Sequence, residues 1–473
     1  MPHSPPRQGA LPAALLAALL AGPLAAASSA AAAQTKAAPA PSSTPPAPSA
    51  PAATAAAPQQ PVAISSTAEA VYARAKPRIL QIRTLLEAAG RQSTIGSGFV
   101  VSDDGLAVTN YHVVSQYALE PKTYRLEFAA PDGSKGSMKL LAIDVVNDLA
   151  VVKVENAGLP YFEFDQRALK DQLPKGERIY AMGNPLDLGF TIVEGTYNGL
   201  VDKSYDERIH FSGAINPGMS GGPVTGADGR IVGVNVAKRL DGEQVGFLVP
   251  AKFAAALLER ARKGPPLDVA KAREEVGRQL NVWQAAFYQQ LAEQGFRDAN
   301  YGPYRGLESA ARWVNCWAGT NANAVPKPRY VVNNTNCDSQ TGLFISNSLY
   351  TGRVQLVYSY YQSADLNAFQ FARQISTSGR MGNFNFRGGK RLTEQECHDD
   401  FVEVKDAKHP VLRATWCARA YREFEGIYDV TVMAVTQDRD QEALTAQLSM
   451  QGVAYNNAVT LGKRFLEAIR WAK

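Results

Sequence analysis

The chemistry open to this chain is concentrated in three side chains. Ser220 lies in NPGMSGGPV, residues 216–224, wedged among glycines. A serine hydroxyl attacks a carbonyl well only when a base takes its proton, and that base needs an acid to orient it. Five histidines are present: His3, His112, His210, His398 and His409. His112 suits the role of base. It follows an apolar run in GLAVTNYHVV, and the end of a core strand holds a side chain rigidly at a cleft. Asp148, in VVNDLAVVKV, directly precedes another apolar strand and can accept the imidazole N–H, with Asp144 as its rival. His210 reads as an ordinary strand residue. Each of the three also has a plainer reading, as a turn residue, a packed strand-end histidine and a cap. Occurring together in the order His, Asp, Ser, each at a strand boundary, they argue for nucleophilic acyl transfer.

Such groups must be held by a rigid scaffold, and the surrounding sequence describes one. From about residue 63 to 250, short apolar runs such as TIGSGFVVS, YRLEFAA, LAVVKV, RIYAM and GRIVGVNVA are bounded by Gly, Asp, Asn or Pro. Many strands at this spacing predict an all-β barrel or sandwich. One helix is expected at the end, in PAKFAAALLERARKG, with Phe253, Ala256, Leu257 and Ala261 on its apolar face and Gly264 as its stop.

Length and composition set the outer frame. A chain of 473 residues exceeds one compact core. Its net charge of +5 includes no dense basic block, so nothing points to nucleic acid. Residues 1–33 read as a secretory signal: one arginine, an Ala/Leu-rich run, and small residues at which cleavage would follow Ala27 or Ala33. An uncleaved membrane anchor is the competing reading, and the weight of Ala over Leu favours removal. With the signal removed, no stable membrane insertion is expected. Residues 34–63, rich in Pro, Ala and Ser, read as an extended linker unable to bury a core.

Six segments in order, GSGFVVSDDGLAVTNYHVV, NDLAVVKV, AMGNPLDLGFTIVEGTYNGL, INPGMSGGPV, DGRIVGVNVA and VGFLVP, resemble the trypsin-like protease domain of the HtrA/Deg family of exported quality-control proteases. The resemblance spans roughly residues 66–262. It implies a chymotrypsin-type double β-barrel over residues 64–263, with the site between the barrels and no cofactor or metal. It implies His112 as general base, Asp148 as its orienting acid, Ser220 as nucleophile, and the N–H groups of Gly218 and Ser220 as the oxyanion hole. It places the specificity pocket at Ala214, Ile215, Gly246, Phe247 and Leu248. No acidic residue stands there, which favours a small or medium apolar residue before the scissile bond. One position departs from the pattern. Met219 stands where Asp or Asn is usual, so a hydrogen bond that steadies the oxyanion loop is missing, and activity would depend on an activating event. The family also implies polypeptide substrates and a homo-oligomer as a candidate assembly.

Residues 264–473 follow a different pattern, with no recognisable PDZ carboxylate-binding loop. PLDVAKAREEVGRQLNVWQAAFYQQLAEQGF and the C-terminal NNAVTLGKRFLEAIRWAK predict helices, and RVQLVYSYYQS and HPVLRATWCARAYREFEGIYDVTVMAVTQ predict antiparallel strands. An α+β domain of unknown type follows. It holds all four cysteines, Cys316, Cys337, Cys397 and Cys417. None forms a zinc spacing, and an exported chain implies two disulfides. Three pairings are open, and the local one, Cys316–Cys337 with Cys397–Cys417, is preferred. The aromatic residues Trp313, Trp317, Tyr358, Tyr360, Tyr361 and Trp416 suit either a peptide or glycan site or a core. Two functions from different classes remain. The first is a periplasmic or secreted serine endopeptidase cutting unfolded or specific envelope proteins through an acyl-enzyme. The second is a weakly active or inactive protease-fold binding or chaperone protein whose C-terminal domain recognises a partner.

Overall fold

The computed structural model describes residues 65–155, 158–184, 188–238, 245–339, 341–380, 389–403 and 406–472, all within one compact unit, Ala63–Lys473. The expected signal and linker lie outside the described residues. After helix α1 (Ser66–Ala75) come β1 (Ile79–Leu86), β2 (Arg91–Val100), β3 (Leu106–Thr109), helix α2 (Tyr111–Leu119), β4 (Tyr124–Ala129), β5 (Lys135–Asp144) and β6 (Leu149–Val154). These strands close a barrel in the order β1-β2-β3-β6-β5-β4. The next six, β7 (Arg178–Gly183), β8 (Thr191–Leu200), β9 (Ile209–Ser212), β10 (Pro223–Thr225), β11 (Ile231–Lys238) and β12 (Val245–Pro250), close a second barrel, β10-β11-β12-β9-β8-β7. The fold is thus an all-β double barrel with antiparallel pairing throughout. Closure removes every sheet edge from this part of the chain.

Helix α3 (Ala251–Lys263) ends before Gly264, but its buried face is Ala251, Ala254, Leu257 and Leu258. Of the expected face, Leu257 is buried and Phe253 and Ala261 pack half-buried against the same core, and only Ala256 is exposed. Residues at 251, 254 and 258 share one side of a 3.6-residue helix, and that side meets a core shared by both barrels.

The remainder is α+β. Helix α4 (Ala272–Gln294) carries a stripe of Val276, Leu280, Phe287 and Leu291, all buried. There follow β13 (Phe296–Tyr301), β14 (Tyr304–Ser309), β15 (Asn315–Thr320), β16 (Tyr330–Asp338), the small hairpin β17 (Leu343–Ser346) and β18 (Leu349–Thr351), and β19 (Val354–Ser363). Helix α5 (Ala368–Ser378), β20 (Glu396–Val402), β21 (Leu412–Ala420), β22 (Ile427–Thr436), β23 (Glu442–Ala454), helix α6 (Tyr455–Glu467) and β24 (Arg470–Trp471) complete it. Seven strands form one antiparallel sheet, β15-β16-β19-β23-β22-β21-β20. Alternation sorts its faces. Val430, Val432 and Ala434 point into the main core with α4 and α6, whereas Val435 and Ala443 meet α5 on the other side.

Disulfides join Cys316 to Cys337 and Cys397 to Cys417, directly opposite each other in the ladders. They staple both edge strands, β15 and β20, to their neighbours. Of the aromatic set, Trp313, Tyr358 and Tyr360 are buried in the core, and Trp317 is 54% exposed. Packing accounts for those three. The main core is continuous from the first barrel into this layer, with Leu80, Tyr111 and Val145 in the same cluster as Phe287, Ile345 and Leu448.

Candidate active site

The site begins with two turns that local sequence dictates. In Asn216–Met219 the Met219 amide donates to Asn216 C=O at 3.0 Å, with Pro217 second and Gly218 third at φ 93°. That is the residue pattern of a type II turn, which needs positive φ at its third position. The next turn repeats it, with the Gly222 amide on Met219 C=O at 2.9 Å and Gly221 at φ 82°. Gly221 has a second reason to lack a side chain, because a Cβ there would lie 2.3 Å from Ser97 C=O. Between the turns, Ser220 is presented half-buried on the loop from β9 to β10.

The first barrel fixes this loop. Ser97, on β2 and wholly buried, donates its amide to Ser220 C=O at 2.8 Å and its hydroxyl to Gly218 C=O at 2.7 Å. Thr109 donates to Ser97 C=O at 2.7 Å in turn. With the Gly218 carbonyl held on Ser97, the amides of Gly218 and Ser220 have no acceptor among the described residues. Met219 is buried in the second-barrel core, its backbone close against Gly183. The loop is therefore steadied by Ser97 and by packing, where a polar side chain at 219 was expected to be needed. Ser97 was missed in the sequence. Its only signal was a serine between two glycines in IGSGF.

His112 does not end a strand. It sits in the first turn of α2, after Asn110 at the helix N-cap. Asp148, at φ 58°, terminates the β5–β6 turn in the left-handed region that Asp tolerates better than most residues. From there its carboxylate reaches α2 twice, accepting the His112 backbone N–H at 2.8 Å on one oxygen and the Nδ1–H at 2.7 Å on the other. Asn110 Nδ2 donates to Asp148 C=O at 2.7 Å, locking the two segments together. One carboxylate thus caps the helix, where negative charge is favoured, and fixes the imidazole tautomer that leaves Nε2 free. Asp144 instead accepts from Asn147, closing the turn that presents Asp148.

Burial pushes the His112 pKa down, but the charge and hydrogen bond of Asp148 outweigh it and hold the imidazole above its ordinary value. The ring keeps 24% of its side chain exposed. Ser220 Oγ faces Val236 C=O at 3.5 Å, a marginal contact, and no hydrogen bond joins it to His112. Such links are often loose before substrate binds.

The residues expected to line the specificity pocket differ in burial. Leu248 is fully buried in the second-barrel core and Ile215 is 3% exposed, packed where a side chain on Gly246 would stand. Strand alternation turns Leu248 inward and its neighbour Phe247 outward, so Phe247 lines an open cavity with His112 and Asp148. Ala214 is exposed. His210 pairs with Phe247 across β9 and β12 as an ordinary strand residue.

Residues 96–234 match the family described as Trypsin-like peptidase domain. The chain is 40% identical over 177 residues to the "Putative serine protease HhoB" of Synechocystis sp., covering 36% of this chain and 40% of that protein. It is 34% identical over 179 residues to the "Probable periplasmic serine endoprotease DegP-like" of Chlamydia muridarum, covering 36% and 34%. Among solved structures it resembles the serine endoprotease from Yersinia pestis, at 26% identity, TM-score 0.37, and 43% and 70% coverage. The chain thus spans about two fifths or less of these two sequence relatives' length.

Proposed function

We propose that this chain is an exported serine endopeptidase, with His112, Asp148 and Ser220 as its triad and residues 64–263 as its protease domain. The observation that carries the reading is the two-point hold of Asp148 on His112, across the barrel junction from a serine loop with two unengaged amides. The similarity of residues 96–234 to trypsin-like peptidase domains supports it. The periplasmic relatives support export, and among the described residues no helix is long and apolar enough to cross a membrane.

Ser220 Oγ attacks the scissile carbonyl while His112 Nε2 takes its proton. The carbonyl oxygen becomes an oxyanion, and the amides of Gly218 and Ser220 donate to it. Asp148 stabilises the imidazolium. His112 then returns the proton to the leaving amine, and water hydrolyses the acyl-enzyme by the same steps. The segments expected to line the primary pocket, Ser212 to Ile215 and Val245 to Val249, carry no acidic residue, which favours cleavage after an apolar side chain.

The test is cleavage of casein, with fluorophosphonate labelling, by the wild type and by Ser220→Ala. Loss of both in the variant supports the endopeptidase. Neither activity in the wild type would overturn it in favour of a binding or chaperone role for the C-terminal domain.

A further inference from the structure

We infer that the C-terminal domain builds one wall of the substrate cleft, and that Phe344 and Tyr350 on its β17–β18 hairpin select an apolar substrate side chain beside His112. The inference rests on the proteolytic reading of His112 and Ser220 and extends it to residues more than a hundred positions away in the chain.

The hairpin is anchored by its inner face and presents its outer one. Leu343, Ile345 and Leu349 are buried, and Tyr111, itself wholly buried next to His112, donates its hydroxyl to Ile345 C=O at 3.1 Å. Alternation turns Phe344 the other way. Its ring stands edge-on to the His112 imidazole, with centroids 5.7 Å apart. Directly across the hairpin, Tyr350 packs against Phe344 at 5.2 Å and is 54% exposed.

These two rings close a cavity of about 800 Å³ whose other walls include His112 and Val146 of the first barrel and Val236 and Phe247 of the second. Its volume falls within the roughly 300–1,000 Å³ of ordinary ligand sites. Its apolar wall touches the imidazole, and Val236 is also the residue whose carbonyl faces Ser220 Oγ. An apolar side chain of a polypeptide held at the nucleophile therefore has an aromatic surface to enter. Lys203, Asp206 and Arg208 add polar groups to its lining, as suits the backbone of an extended chain.

The wall is rigidly placed. From α4, Gln279 accepts the Val145 amide at 2.8 Å and donates to Ile143 C=O at 2.9 Å, where β5 runs into the turn that ends in Asp148. Trp283 donates to Asp206 at 3.1 Å and packs on Gly352, just after β18. One helix thus ties the hairpin to both barrels.

The test uses the full chain and maps cleavage sites in denatured casein by mass spectrometry. The wild type should favour a bulky apolar residue at one position near the cut. Phe344→Ala, or Tyr350→Ala should the first fail to fold, should lose on the order of tenfold in kcat/KM on peptides with Leu or Phe at that position and little on peptides with Ala. Fluorophosphonate labelling measured alongside separates a lost side-chain preference from a lost reactivity of Ser220. An unaltered site profile would overturn the inference. So would a uniform rise on all substrates, which would make the hairpin a cover. Should the wild type neither cut nor label, the proteolytic reading fails separately, and binding of fluorescent denatured casein to Ser220→Ala decides the wall. Weaker binding in Ser220→Ala/Phe344→Ala supports it, and equal binding sinks it.

Discussion

At the scale of single residues, the site works by fixing His112 and the Gly218 carbonyl with hydrogen bonds while the amides of Gly218 and Ser220 have no acceptor among the described residues. Asp148 both caps α2 and orients His112, so its removal should act on protonation as well as position. In the native protein the charge of Asp148 raises the His112 pKa. Activity needs the neutral imidazole, so kcat/KM should rise with pH through a midpoint above the ordinary histidine value near 6.5. In Asp148→Asn that midpoint should move to lower pH and the plateau rate should fall by roughly 10³–10⁴, both read from one pH–rate profile. Ser97 offers a second handle. In Ser97→Ala the buried Gly218 carbonyl loses its donor, which should lower kcat by about 10-fold to 100-fold while thermal unfolding shifts by only about 1–2 kcal/mol. An unchanged kcat in that variant would remove Ser97 from the oxyanion loop's support. The triad candidates were legible because serine chemistry demands residue types that the sequence supplies only once in a suitable context. Ser97 was not, because a serine that holds a loop from another barrel has no local signature.

At the scale of elements, the strands between glycine and aspartate turns were readable because closed barrels need short, evenly spaced apolar runs. The placement of His112 was less so. Asn110-Tyr111-His112 continues an apolar strand in sequence, and only the carboxylate of Asp148, supplied from a distant turn, makes it a helix start. The apolar face of α3 was legible at Phe253, Leu257 and Ala261 but not at Ala256, since which side of an Ala-rich helix is buried depends on the surface it meets. Met219 illustrates the same dependence. A residue that departs from the usual pattern is accommodated because the second barrel takes it into its core. Met219→Leu should therefore be tolerated within about 1.5 kcal/mol. Met219→Asp, which restores the usual residue type, should destabilise by about 3 kcal/mol or more through a buried charge, as urea unfolding would report. In the C-terminal sheet, each disulfide closes a loop of about twenty residues at an edge. Replacing either pair with serine should cost about 3 kcal/mol.

At the scale of the whole molecule, the C-terminal part shares one core with the first barrel. Arg273 donates to Leu119 C=O at 2.6 Å and Arg391 to Glu120 at 2.7 Å, beside the bonds from Gln279 and Tyr111. A chain ending at Lys263 would expose the first-barrel face that these residues cover, and should be recovered aggregated or with a strongly lowered unfolding temperature. This union had no sequence signal. The composition of residues 264–473 predicts helices and strands, but contacts across so many residues are a property of the assembled surface. The central claim is that the double barrel presents an activated serine at residue 220. It is met most directly by reacting the full-length protein with a fluorophosphonate and locating the adduct by mass spectrometry. A single adduct on Ser220, absent when His112 is replaced by alanine, is the predicted result. No adduct, or one that forms equally without His112, would contradict the account.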